Sequence, residues 1–268
     1  MKKTLSPREE YLYGIRKRKR AVLAVQIFIV AAFITLWEVL TLTGYVDPFI
    51  FSSPSRITEM FFVMARSDLG WHIMITVLET VVGFLLGVVL GMAISVALWF
   101  SPFANSVAAP FLVVLNSLPK IALGPVIIVW AGAGISSIIV MAVAISLIVT
   151  VLELSGGFMS TDKKLLITLQ SFGADRRQIF SKVVLPYNIP VLFGSLKVNI
   201  GLSLVGVIAG EFLVSKAGLG YLIVYAGQVF RMDLVMMSVI ILGFIAFVMY
   251  WAVNFARQIV EKKINHDT

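Results

Sequence analysis

The chain has 268 residues, 59% of them apolar and only 13% charged, with no cysteine. An ordinary soluble domain carries about 25% charged residues, so this chain has too little polar sequence to clothe a water-facing surface, and it reads as an all-α integral membrane protein. Disulfides, thiolate metal sites and a cysteine nucleophile are excluded; two histidines, His72 and His266, are too few for a histidine metal cluster.

Residues 1–20 form a basic N-terminal segment ending in Arg16-Lys17-Arg18-Lys19-Arg20. Ser6-Pro7-Arg8-Glu9 reads as a capping box, which predicts a short amphipathic helix over residues 7–20 on an anionic membrane surface, the alternative being a frayed basic tail that serves only topology. The remainder, 21–268, is read as one transmembrane domain with six spans, at 21–43, 73–99, 106–131, 135–154, 188–213 and 233–255. The first apolar run is too long for a signal-peptide core and is read as an uncleaved span. Of the 22 basic residues, eight fall in residues 1–20, five between Asp162 and Lys182, and three after Phe255. Four fall on the other side (Arg56, Arg66, Lys216, Arg231), and Lys120 and Lys197 lie within spans. This asymmetry puts both termini in the cytoplasm and explains the net charge of +8 without nucleic acid.

In the second span Glu79, Gly83, Gly87, Gly91 and Ser95 recur every four residues, a nearly bare helical face suited to close packing, with a carboxyl at one end for packing or gating. Proline and glycine interrupt the third span at Pro110, Pro119, Gly124 and Pro125, and broken helices at membrane depth mark transport pathways. There Asn116, Lys120 and Gly124 would share one helical face. Asn116 and Lys120 are therefore candidate pathway residues, and Lys120 favours an anionic solute; a structural pairing of Lys120 with Glu79 or Glu211 is the competing reading. In the fifth span Ser195, Asn199, Ser203, Gly206 and Gly210 form a second polar and small stripe ending in Glu211. Asn199, Ser203 and Glu79 complete the candidate pathway set.

The loop between the fourth and fifth spans, about residues 155–187, is patterned as two short helices. Thr161 or Asp162 can cap the first, Gly173 suits its C′ position, Asp175 with Gln178 resembles a second capping box, and Pro186 after Leu185 reads as a stop. Leu165, Leu166, Leu169 and Phe172 would be left facing water, an invitation to a protein partner. No phosphate loop, H-E-x-x-H or G-x-S-x-G motif is present, so nothing points to an enzyme, and energy must come from an ion gradient or a partner. Gly218-Leu219-Gly220-Tyr221 lacks the strand-turn-helix setting of a nucleotide loop.

The stretch from Ser171 to Pro186 resembles the coupling loop of ABC importer permeases, in which an EAA triplet precedes the glycine and Ile-x-Leu-Pro follows it. Gly173 and Val183-Val184-Leu185-Pro186 keep that spacing, whereas Ile167, Thr168 and Leu169 depart from the triplet. Asn116 to Pro125 with Ile128-Val129-Trp130-Ala131-Gly132, and Gly210-Glu211-Phe212-Leu213 with Gly218 to Leu222, are similar to the nitrate, sulfonate, taurine and bicarbonate branch. The resemblance implies a six-span type I importer permease in a bacterial plasma membrane, paired as a homodimer with ABC ATPase subunits and an extracytoplasmic substrate-binding protein. It implies that Phe172, Gly173, Ala174, Asp175, Arg176, Arg177, Gln178, Leu185 and Pro186 couple to the ATPase, which holds the ATP and Mg, so this chain carries no cofactor. The solute would be a small anion such as a sulfonate, nitrate or bicarbonate, or a vitamin precursor. The rival is an ion-coupled secondary transporter using Glu38, Glu79 or Lys120, with a membrane scaffold a third reading.

Overall fold

The computed structural model describes residues 7–266, so the Ser6 cap lies outside the described residues. Helix α1 (Pro7–Leu42) is continuous, and the basic stretch therefore extends the first span rather than forming a separate surface helix. Nothing between Pro7 and Thr43 stops a helix: arginine, lysine and leucine are good helix formers, and the single Gly14 is tolerated. Two short helices follow, α2 (Pro48–Phe51) and α3 (Pro54–Ala65), with prolines at their first positions and caps from Asp47 and Ser53. Glu38 is absorbed here, its Oε2 accepting the Ser55 N–H at 3.0 Å at the start of α3.

The second span is α4 (Leu69–Phe100), and the third is bent by 86° between α5 (Pro102–Ser117) and the segment Lys120–Ala131, a 3-10 turn (Lys120–Leu123) leading into α6 (Gly124–Ala131). Then come α7 (Ile135–Met159), α8 (Lys163–Ser171), α9 (Arg176–Ile179), a π-helical turn (Phe180–Val184), α10 (Leu185–Tyr187), α11 (Ile189–Val214), α12 (Leu219–Gln228) and α13 (Met232–His266). Five helices are long and apolar enough to cross a bilayer alone, and the bent pair makes a sixth. The bend has a local cause: Leu118 is extended ahead of Pro119, the conformation proline imposes on its predecessor.

The core is a layer of three helices with α7 in the middle. Its residues Ile138, Ala142, Ser146 and Thr150 recur every four positions and receive glycines from both sides. From α4, a Cβ on Gly83 would stand 2.6 Å from that of Ala142, Gly87 faces Ser146, and Gly91 faces Thr150. From α11, a Cβ on Gly206 would stand 2.6 Å from the Ala142 Cα, and one on Gly210 3.0 Å from the Ile138 Cα. The small polar groups in the seam bond to their own helices: Ser95 Oγ donates to Gly91 O at 2.8 Å, Ser146 Oγ to Ala142 O at 2.9 Å and Thr150 Oγ1 to Ser146 O at 3.0 Å. Their burial leaves no unmet donor, which an apolar surround would penalise. A second apolar cluster joins Ile57 and Met60 of α3, Leu219, Leu222 and Ala226 of α12, and Leu234, Met237 and Ile241 of α13.

Lys197 is accounted for structurally: its Nζ donates to Asn254 Oδ1 at 3.0 Å and sits 5.1 Å from the Tyr250 ring centroid, tying α11 to α13. Gly206→Ala should lower the stability of the purified protein by about 1–3 kcal/mol, because its new methyl meets backbone that cannot rotate away. Gly194→Ala, in open space on the same helix, should be silent in the same thermal melt.

Candidate functional site

The loop 160–188 is built by the caps that its residues suggest. Asp162 Oδ1 accepts the Lys164 N–H at 2.9 Å at the start of α8. At its end Gly173 adopts φ +81°, the Gly173 N–H bonds to Gln170 O at 2.9 Å, and the Ala174 N–H reaches Leu169 O at 3.0 Å. Those two bonds are the Schellman pair, and the left-handed residue between them favours glycine. A full capping box opens α9: the Gln178 N–H donates to Asp175 Oδ1 at 2.7 Å, and the Asp175 N–H to Gln178 Oε1 at 2.9 Å.

Two expectations about this loop need correction. Leu166 and Leu169 do not face water; they pack with Ala174 and Phe180 on the buried cluster Leu154, Phe158, Ile179 and Val184, because the α8–α9 turn folds that edge of α8 onto the bundle. Phe172, 82% exposed, and Ile167, 60% exposed, point outward with Leu165. Nor does Pro186 stop the helix. The chain stays helical into α10 because the preceding turn widens to π geometry, with the Leu185 N–H reaching Phe180 O, which accommodates the ring and the missing proline N–H.

Aromatic and polar anchors hold the loop to the bundle. Phe180 lies 5.1 Å from Trp99, 5.5 Å from Phe100 and 5.4 Å from Phe158, centroid to centroid. Arg176 Nη1 donates to the carbonyl of Phe100, the last residue of α4, at 2.9 Å. Asn188 Nδ2 donates to Thr161 Oγ1 at 2.9 Å, joining the start of α11 to the end of α7.

At the opposite end of α4 lies a cluster that the sequence reading missed. Three consecutive amides at the N-terminus of α12 are each taken by a side chain from another helix. The Gly218 N–H donates to His72 Nδ1 at 2.9 Å, the Leu219 N–H to Thr76 Oγ1 at 2.8 Å, and the Gly220 N–H to Glu211 Oε2. Thr76 Oγ1 in turn donates to Glu211 Oε1 at 2.6 Å. A carboxylate at a helix N-terminus meets both its orphan donors and its positive dipole end. Gly218 and Gly220 are glycines because any Cβ there would run into the Glu211 carboxyl. With Nδ1 accepting, the His72 proton sits on Nε2 and faces Asp68 Oδ2 at 3.4 Å. A hydrogen bond from Ser67 at 2.7 Å holds the Asp68 carboxyl below the usual carboxylate range. Glu211 beside a Gly-Leu-Gly run was the readable signal, since adjacent glycines mark a close approach.

The candidate pathway residues separate into two groups. Asn116 is exposed and Lys120 half-buried; Lys120 Nζ donates to Asn116 O at 3.0 Å and Asn116 Oδ1 at 3.3 Å, capping the end of α5. The shared face with Gly124 does not exist, because the chain turns at Leu118-Pro119 and Gly124 is buried against Leu213 and Met141. Lys120 pairs with neither Glu79 nor Glu211. Asn199, Ser203 and Glu79 line no open space in this conformation: all three are buried, and Asn199 Nδ2 donates to Ser195 O at 2.9 Å. The close glycine seam has drawn that stripe inward, and Glu79 lies beside Glu211 with no basic partner among the described residues. What lies open instead is an apolar groove of about 590 Å³ between the 3-10 turn, α6 and α11, lined by Ile121, Pro125, Leu204, Ile208, Phe212 and others.

A glycine-packed helical bundle with a broken span and a firmly anchored two-helix loop defines a membrane permease. The chain belongs to the family described as the binding-protein-dependent transport system inner membrane component, whose profile matches residues 83–266. A probable ABC transporter permease protein of Haemophilus influenzae is 29% identical over 229 residues, 85% of this chain and 93% of its own length. The riboflavin transport system permease protein RibX of Chloroflexus aurantiacus is 31% identical over 219 residues, 81% of each chain. In fold, the chain is similar to the MetNI methionine ABC transporter in its inward-facing conformation, with TM-score 0.65 at 17% identity over 75% of this chain and 98% of that one. The fold is therefore that of a type I ABC importer permease, and the protein is a permease subunit of an ABC importer. An ion-coupled secondary transporter is not favoured.

Thr76→Val should remove the acceptor of the Leu219 amide and the donor to Glu211, at a cost of about 1–3 kcal/mol. Hydrogen exchange of peptides spanning 215–228 should accelerate, while exchange in α7 stays slow.

Proposed function

We propose that this chain works as a homodimer in a bacterial plasma membrane, with both termini and the loop 160–188 in the cytoplasm. ABC ATPase subunits dock on the outward face of α8 and the turn after it, where Ile167 and Phe172 are exposed, and an extracytoplasmic binding protein delivers the solute from the other side. The observation that carries this reading is the loop itself: two capped helices, anchored through Arg176 and Phe180, that present Ile167 and Phe172 to water. A membrane protein gains nothing from bare aromatic surface outside the bilayer unless a partner covers it. Sixteen basic residues on the loop side of the topology support the orientation. Closure of the ATPases on ATP would draw two such loops together and shift the bundle outward-facing; hydrolysis would reset it.

The pathway in this reading runs along the groove of Ile121, Pro125, Leu204, Ile208 and Phe212, which faces its copy in the dimer. Apolar walls hold no solute tightly, which suits a conduit whose specificity lies in the binding protein. Lys120 beside the groove, with Asn116, lends it a positive potential and favours a small anionic organic solute. The similarity to a riboflavin permease keeps vitamin-like molecules in the same range.

Affinity purification of the chain from its native host should bring down an ATPase subunit. Asp175→Pro or Gly173→Trp should leave the bundle folded and the ATPase bound but abolish transport-linked stimulation of ATP hydrolysis, since a cap is worth about 1 kcal/mol and orients both short helices. Unchanged stimulation would remove the loop from coupling. Because the chain has no cysteine, Ile121→Cys gives a single reactive site. A short bifunctional thiol reagent should link two copies through it, and a product that stays monomeric would contradict the dimer.

A further inference from the structure

Helix α4 touches both polar anchors described above, one at each end. Its last residue, Phe100, accepts the Arg176 hydrogen bond and, with Trp99, holds the Phe180 ring. Its first turns carry His72 and Thr76, which grip the amides of Gly218 and Leu219 at the head of α12. The whole helix has 32 residues, about 48 Å at 1.5 Å per residue, with no proline inside. The glycines that would soften an isolated helix are here the face locked onto α7, so α4 is braced along its length.

The loop has a covalent route to the membrane as well, through α10 into α11, but that route passes the π-helical turn Phe180–Val184. A π turn is the weakest register in a helix and a place where helices yield. Arg176 bypasses it, joining α9 to α4 directly.

We infer that Arg176 is a positioning residue for coupling: through Phe100 it makes α4 a rod that carries movement of the coupling loop to the outer helix α12. This rests on the importer reading, in which the loop is moved by the ATPase. Arg176 then serves inside the permease, and the outward Phe172 and Ile167 serve the ATPase contact. At the far end His72 and Thr76 of α4 and Glu211 of α11 together hold the first amides of α12, so displacement of the stiff layer carries α12 with it.

The test uses the permease reconstituted in nanodiscs with its own ATPase subunit. Lys216→Cys, exposed beside α12 in a chain without other cysteines, carries an environment-sensitive fluorophore. Trapping the ATPase with ATP and vanadate should change the emission in the otherwise unsubstituted chain. In the Arg176→Met background the ATPase should still co-purify, but most of the emission change should be lost. Arg176→Lys keeps a donor for Phe100 O and should restore much of it. An undiminished change in Arg176→Met, equal loss in the lysine and methionine variants, or failure of Arg176→Met to bind the ATPase would each overturn the inference. The last outcome would make Arg176 a docking residue. If the unsubstituted chain recruits no ATPase, the importer reading itself fails, an outcome the parental control separates from a failure of the rod.

Discussion

The rest of this structure depends on the approach of α4 and α11 to the two sides of α7. In a bilayer the lipid tails are as apolar as the helices, so helix association draws on van der Waals contact and interhelical hydrogen bonds rather than on exclusion of water. Contact improves as backbones come closer, and Gly83, Gly87 and Gly91 on one flank and Gly206 and Gly210 on the other permit an approach that even alanine would block at Ala142. Because this seam is rigid, what is fixed to either end of it moves with it. The Arg176 bond to Phe100 and the His72 and Thr76 grip on α12 acquire mechanical meaning from that rigidity.

In the glycine seam the hydroxyls of Ser95, Ser146 and Thr150 are satisfied by their own helices, whereas the Glu211 carboxyl is used as a cap for another helix. Glu211 at the head of α12 replaces water for amides that the helix itself cannot satisfy. Ser146 and Thr150, by contrast, return their protons to α7 and leave its surface effectively apolar. Lys120 obeys the same logic at the break of the third span, where its ammonium bonds to the Asn116 carbonyl left free near the end of α5.

These constraints divide the protein by mechanical role. The α4–α7–α11 layer is stiff, the cluster of α3, α12 and α13 rides against one end of it, and the α8–α9 pair is latched to the other. The bent α5–α6 segment packs Gly124 and Ile127 against Met141 of α7 and Ala209 and Leu213 of α11, and borders the open groove. A stiff body between the α8–α9 loop and α12, beside a broken span, suits the alternating access of a transport permease.

How much of this was legible beforehand follows from the range of the interactions involved. Spans, loop caps and the break at Pro119 are properties of runs of neighbouring residues. Hydrophobic length, the Asp175/Gln178 box, the Gly173 turn and the restriction before proline all act within a few positions, so the sequence by itself determined them. The glycine stripe of α4 announced close packing, but α7 as its partner could not be read, because Ile138, Ala142, Ser146 and Thr150 look like any apolar run with occasional hydroxyls until another helix lies on them. For the same reason Asn199 and Ser203 looked like a hydrophilic route, and only the rotation of α11 in the bundle buried them. Residues separated by more than a hundred positions, such as Thr76 and Glu211, are brought together by tertiary packing alone. Side-chain chemistry proposes such a bond, but it forms only where backbones already held by other contacts put the two groups within reach.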